Sequence, residues 1–201
     1  MTSLTLYTNP QSRGRIAHWM LEETGTPYET VWLEYGEQMK SPDYLVINPM
    51  GKVPALVHGS VVVTECAAIC AYLADRFPAN HLAPAVDDPR RATYLRWLFF
   101  AAGPLETAVT AKSLGWEVPE GRSQMAGFGS YADVLNAIES ALQVGPWLCG
   151  ELFTAADVYI ASQLGWGMMF ESIEKRSVFE RYVERAYARP ANIESDRLNN
   201  L

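Results

Sequence analysis

The sequence predicts two dissimilar domains: an α/β domain of order βαβ-ββα over residues 1–80 and an all-helical domain over residues 88–201, joined by a linker at 81–87. Three observations carry this reading. Strand-like runs are confined to the first 65 residues. The stretch PANHLAPAVDDP is rich in proline and poor in core residues. Beyond it, apolar residues recur at helical spacing.

Residues 4–8 (LTLYT) form a β-prone run closed by the turn-prone Asn9-Pro10. From about residue 13 to 24, Ile16, Ala17, Met20 and Leu21 fall at helical spacing, and Gly25 supplies the stop. Residues 28–33 alternate as a second strand, and the polar segment after them carries at most a short helix. Residues 54–57 and 61–63, joined by His58-Gly59-Ser60, read as a hairpin. A helix follows over about 65–77, with Ala68, Ile69, Tyr72 and Leu73 on one face. In the second domain, Asp88-Pro89 opens a long helix toward Lys112 that is disturbed at Gly103-Pro104. A second helix is expected over about 123–142. A third opens at Thr154-Ala-Ala-Asp157, a capping-box-like start, and is apolar on nearly every side. SVFERYVERAYARP closes the series as an amphipathic helix ended by Pro190.

Composition excludes several classes of function. A net charge of −7 without a Lys/Arg cluster argues against a nucleic-acid surface. No apolar run reaches membrane-span length, and the first residues lack the pattern of a signal peptide. The odd count of three cysteines without framework spacing, Cys66, Cys70 and Cys149, points to a reducing, cytoplasmic setting with structural thiols. Three scattered histidines assemble no zinc motif, so no metal is expected.

Two features suit the gripping of an extended, peptide-like ligand. Pro54 stands at a strand start, where its missing N–H is tolerated. Glu65 stands at a helix start, where main-chain N–H groups lack partners and welcome anions. Taken alone, the first is also an ordinary edge feature and the second also complements a helix dipole.

The stretches NPMGKVPALV, TECAAICAYLADRFP and LFTAADVYIA, in that order and spacing, resemble the glutathione transferases over residues 4–190. That resemblance implies a thioredoxin-like first domain, a helical second domain that forms the pocket for an electrophile, and a homodimer. It also implies that glutathione is the co-substrate. Pro54 matches the family's cis-proline, and Val53 would then hold the cysteinyl part through its main chain, as an added strand. Glu65 and Cys66 match the acidic-then-hydroxyl pair that holds the γ-glutamyl group. Cys66 departs from the usual Ser or Thr, and a thiol is a poor donor, so there the main-chain N–H carries the match. Lys52, and after it Lys40, are the candidates for the glycyl carboxylate.

A free thiol titrates near 8.5, so glutathione needs a group that favours its thiolate at neutral pH. Ser12, a few residues past the first strand, is ranked first for that role, Asn9 second and Tyr7 third. Arg13 and Arg15 would add positive potential, or one of them pairs with an acidic residue. Tyr94, Trp97, Phe100 and Trp116 are the candidate walls of the electrophile pocket. Trp166, Met169 and Phe170 are read as core in preference to pocket. The expected activity is conjugation of glutathione to apolar electrophiles, a detoxification chemistry. The alternatives are peroxide or disulfide reduction or isomerisation at the same site, and a non-catalytic binding module on the same fold.

Overall fold

The computed structural model describes residues 3–200. They divide into two compact units, one running to Asn80 and including the segment from Arg189, the other spanning His81–Ala188. The sequence reading carried the helical domain through residue 201, whereas packing places its last segment with the first unit.

The first unit is built on strands β1 (Leu4–Thr8), β2 (Glu29–Trp32), β3 (Ala55–His58) and β4 (Val61–Thr64), in the order β2-β1-β3-β4. β1 runs parallel to β2 and antiparallel to β3, and β3 is antiparallel to β4. The parallel pair needs a crossover, supplied by α1 (Gly14–Thr24). β1 buries Leu4, Leu6 and Thr8 on one face and turns Thr5 and Tyr7 to the other. Helix α1 ends at Gly25, whose N–H bonds the Glu22 carbonyl and whose left-handed φ of 61° turns the chain out of the helix. Between β2 and β3, α2 (Pro42–Ile47) starts with Ser41 accepting from the Tyr44 N–H and Pro42 in the first turn. α3 (Cys66–Arg76) follows β4 and buries Ile69, Cys70 and Leu73. Leu6, Met20, Leu56, Ile69 and Leu73 have no exposed surface, and each such burial is worth about 1.5–3 kcal/mol.

The second unit holds α4 (Arg90–Phe100), α5 (Glu106–Leu114), α6 (Tyr131–Leu142), α7 (Ala155–Met169) and α8 (Ser177–Tyr187). The expected disturbance at Gly103-Pro104 is a π-helical turn, Ala101–Leu105. Pro104 lacks an N–H, and the widened turn accommodates its ring between α4 and α5. α6 begins eight residues later than expected, because Gly127 and Gly129 (φ +66°) interrupt the chain before Ser130 caps it. α7 is buried along most of its length. The Asp157 carboxylate closes its capping box and gathers four donors: the N–H groups of Leu148 and Thr154 and the hydroxyls of Thr154 and Tyr182. Burial outweighs these donors and pushes the carboxyl up to about 6.

Pro190, read from the sequence as the end of the last helix, instead opens α9 (Pro190–Asn199), where proline suits the first turn. α9 lies on α1 within the first unit. Arg189 clasps Glu23 with two bonds of 2.7 Å, Arg15 pairs with Asp196, and Asn199 donates to His18 over 2.9 Å. No helix among the described residues is long and apolar enough to cross a membrane.

Candidate functional site

The register of the sheet places the key residues. Ala55 pairs with Tyr7 of β1 on one side and with Thr64 of β4 on the other. One step beyond that row stand Pro54 and Glu65, so both lie at the same sheet end, beside the loop that leaves β1. The Val53-Pro54 peptide bond is cis, as the resemblance implied.

Glu65 precedes α3 with φ 67° and ψ 124°, a backbone conformation that costs a non-glycine residue of the order of 1–3 kcal/mol. Its exposed side chain does not cap the helix. The first main-chain bond of α3 is from the Ile69 N–H to the Glu65 carbonyl, which leaves the helix N-terminus suited to an anion. The Cys66 thiol is buried and donates to the Arg13 carbonyl across 3.5 Å.

The loop into α1 is tightly held. The Asn9 amide donates to the Leu33 carbonyl over 2.7 Å, and its oxygen accepts the Gln11 N–H. Ser12 is buried; its hydroxyl donates to the Asn9 carbonyl at 2.7 Å and accepts the Gly14 N–H at 2.9 Å. Gly14 is required here, because a Cβ would stand 1.9 Å from the Thr8 hydroxyl oxygen. Tyr7 is half-buried, with its ring 5.7 Å from that of Tyr44, in a cluster that includes Met39, Ala55 and Val53. Its phenol makes no hydrogen bond among the described residues.

The loop before β3 is pinned by residues that the sequence did not single out. Tyr44 and Asn48 both donate to the Lys52 carbonyl, at 2.5 and 2.8 Å, and burial lifts the Tyr44 phenol to about 12. The Asn48 side chain also accepts the Met50 N–H. The signal for Asn48 was the turn-forming Asn-Pro-Met-Gly run; Tyr44 had none beyond a polar surrounding. Lys40 reaches the same loop and donates to the Met50 carbonyl at 2.8 Å, so both candidate lysines stand before Val53. Arg15 pairs with Asp196 on α9, and Arg13 is exposed.

Two expectations for the helical unit are corrected. Tyr94 and Trp97 are buried and offer a ligand no surface, because α4 turns them inward. Met169 and Phe170, read as core, are exposed at the end of α7. Phe100 is half-buried and Trp116 exposed. Among the described residues, no three His, Cys, Asp or Glu side chains converge as a metal site.

Comparison with known proteins agrees with this geometry. Residues 2–75 match the model for the glutathione S-transferase N-terminal domain, and residues 95–190 match that for the C-terminal domain. Glutathione S-transferase GST-4.5 of Xanthomonas campestris is 30% identical over 168 residues, covering 81% of this chain and 82% of its own. Glutathione S-transferase GstA of Escherichia coli O157:H7 is 29% identical, over 90% and 94% of the two chains. The crystal structure of a glutathione transferase from Methylococcus capsulatus superposes with a TM-score of 0.78 at 31% identity, covering 98% of each chain. A sphingomonad glutathione S-transferase, solved in complex with glutathione, gives 0.78 at 27% identity over 98% and 99% of the two chains. A thioredoxin-like sheet end carrying a cis-proline opposite an acidic helix start, followed by an all-helical unit, thus joins both family models on one chain, which belongs to the glutathione S-transferase family.

Proposed function

We propose that the protein binds glutathione at this sheet end and conjugates its thiolate to apolar electrophiles. The observation that carries the reading is the row Tyr7–Ala55–Thr64, which sets Val53-Pro54 against Glu65 and the N-terminus of α3. In this reading the Val53 main chain pairs with the cysteinyl residue. The Glu65 carboxylate takes the γ-glutamyl amino group, and the N–H groups at the start of α3, that of Cys66 among them, take its carboxylate. Lys52 and Lys40 meet the glycyl carboxylate. The sphingomonad glutathione S-transferase holds glutathione on a chain of the same fold.

Ser12 is assigned to the thiol. The Gly14 N–H polarises its hydroxyl, which makes the O–H a better donor. To act, that proton swings from the Asn9 carbonyl to the sulfur. Asn9 stands second because its amide is already engaged by Leu33. Tyr7 is third by sequence, but it offers the phenol that has no bond to give up. The hydrogen bond favours thiolate over thiol, and holding the two reactants together supplies proximity. Phe100, half-buried, and Trp116, exposed, are the accessible candidates for the electrophile pocket of the helical unit.

A homodimer in the cytoplasm completes the proposal. Val61 and Val62 are exposed on the edge strand β4, and Leu95 and Phe99 on α4, which suits burial against a second copy. The three free cysteines suit a reducing compartment. Assay of the purified protein with glutathione and an aryl halide, then with a peroxide, tests the chemistry. Turnover of the halide supports conjugation; turnover of the peroxide alone moves the reaction to reduction, and no turnover with intact glutathione binding leaves a binding module.

A further inference from the structure

A cavity of about 930 Å³ opens on the first unit between α1, β2 and α9. Its volume suits a small-molecule ligand. Of the residues assigned to glutathione, only Asn9 lines it. Pro27, Leu33 and Leu198 give it apolar walls and Tyr28 and Trp32 aromatic ones, and each of the five keeps exposed surface.

The charges in those walls have one sign. Glu22 and Glu34 line the cavity, and among the described residues no Lys or Arg does. The arginines of the neighbouring helices are committed elsewhere: Arg15 pairs with Asp196, Arg189 with Glu23 and Arg197 with Glu194. His18 adds no positive charge, because burial, with Arg15 acting in the same direction, lowers its pKa against the Asn199 bond and the nearby Glu22 and Glu194.

Glu22 is half-buried, and the Tyr28 hydroxyl donates to its Oε1 at 2.5 Å. Burial and that bond raise the Tyr28 pKa, so the phenol stays protonated and keeps donating. Glu22 Oε2 has no partner among the described residues, yet it is not enclosed. Glu34 is exposed, and its carboxylate is likewise unpaired among them. Trp32 is 44% exposed, with its ring 5.6 Å from that of His18, and the Tyr28 ring lies 5.5 Å from the same imidazole. An apolar cavity thus carries a half-buried carboxylate with no cationic partner beside two aromatic rings, whose faces attract cations.

We propose that this cavity binds a hydrophobic amine in its ammonium form, with the charge at Glu22 and the organic body against Pro27, Leu33 and Leu198. An ammonium has donors only, and one of them meets Glu22 Oε2 in a charge-assisted bond. Trp32 adds a cation–π contact. Glu34 lends negative potential to the same cavity and draws the cation in. A carboxylate on the same body is repelled by both glutamates, and an alcohol gains the apolar contact without the charge.

The test is calorimetric titration of the full chain near pH 7, at low salt and with saturating glutathione, using 1-naphthylmethylammonium, 1-naphthylmethanol and 1-naphthoate. The expected result is that the ammonium binds about tenfold or more tightly than either analogue. Glu22→Gln keeps an acceptor for Tyr28 and removes the charge, so it should bring the ammonium down to the affinity of the alcohol. That comparison localises the binding whether or not glutathione occupies its own site. Trp32→Ala, at an exposed position, should weaken the ammonium by about threefold, and it decides the matter if the Gln variant fails to fold. Equal binding of ammonium and alcohol to the wild type, or ammonium binding untouched by either substitution, would overturn the proposal.

Discussion

The Cys66 thiol meets the Arg13 carbonyl across 3.5 Å, and this contact ties the first turn of α3 to the first turn of α1. Ser12 and Glu65, more than fifty positions apart in the chain, therefore stand at neighbouring helix starts. The proposed thiol-activating hydroxyl and the proposed γ-glutamyl anchor share one corner of the fold. Two predictions follow from this corner, and two from the packing within each unit.

Ser12→Ala should raise the pKa of bound glutathione thiol by roughly one to two units, since a hydrogen bond to a charged acceptor is worth about 1.5–3 kcal/mol. Affinity for glutathione at low pH should barely change. Titrating the ultraviolet thiolate signal reads this directly, with Asn9→Ala and Tyr7→Phe alongside. A shift in Tyr7→Phe alone would transfer the role to the phenol on β1.

Glu65 separates binding from stability. Glu65→Ala should weaken glutathione binding by well over tenfold, since losing one side of a hydrogen-bonded ion pair costs about 2–5 kcal/mol. Glu65→Gly should lose as much binding yet raise folding stability by about 1 kcal/mol, because glycine accepts the positive φ without strain. Calorimetry and urea unfolding of both variants separate the two effects. Unchanged affinity in both variants removes the γ-glutamyl assignment.

Asp157 gives the stability a pH signature. Its carboxyl is raised to about 6 in the folded chain, against the ordinary 3.8. Between those values the folded state binds the extra proton, so this group's contribution to stability falls as pH rises from about 4 to about 6, by an order of 2–3 kcal/mol. Above pH 6 the contribution is flat. D157N should remove that fall. It should also orphan either the Leu148 or the Thr154 N–H, at a cost of about 1–3 kcal/mol. Urea midpoints of both proteins from pH 4 to 8 test this: the advantage of wild type should be largest near pH 4.

The Arg189–Glu23 clasp should matter more than a surface pair. The Glu23 side chain is only 6% exposed, and it also accepts the Trp19 indole N–H at 2.9 Å. Arg189→Ala strands that carboxylate and should cost about 2–3 kcal/mol, while Arg197→Ala, which breaks a pair between exposed side chains, should cost under about 1. Thermal unfolding of the two variants distinguishes them.

The elements that announced themselves in the sequence were those whose signals are local. β1, the β3–β4 hairpin, α1 and α3 carry alternation, helical spacing and turn residues within a single stretch. The α7 capping box needs only Thr154 and Asp157. What escaped depends on distance or on ambiguity. Proline both ends a helix and begins one, and at Pro190 the second role wins. α9 has few apolar positions, and its polar links to Glu23, Arg15 and His18 span more than 160 residues. Tyr94 and Trp97 have the composition of a ligand pocket, but burial decided their role. Val53, Pro54 and Glu65 were legible through the resemblance; their common sheet end became visible only through the register of β1, β3 and β4.

The return of α9 to the first unit sets the order in which that unit can mature during synthesis. Its sheet and α1 emerge early from the ribosome, but residues 81–188 must be made before Arg189 can reach Glu23. A nascent chain paused within that excursion presents an α1 flank with Glu23 and His18 uncovered, a surface open to chaperones and proteases. Adding a separate α9 peptide to such an arrested chain would restore the missing strap in trans.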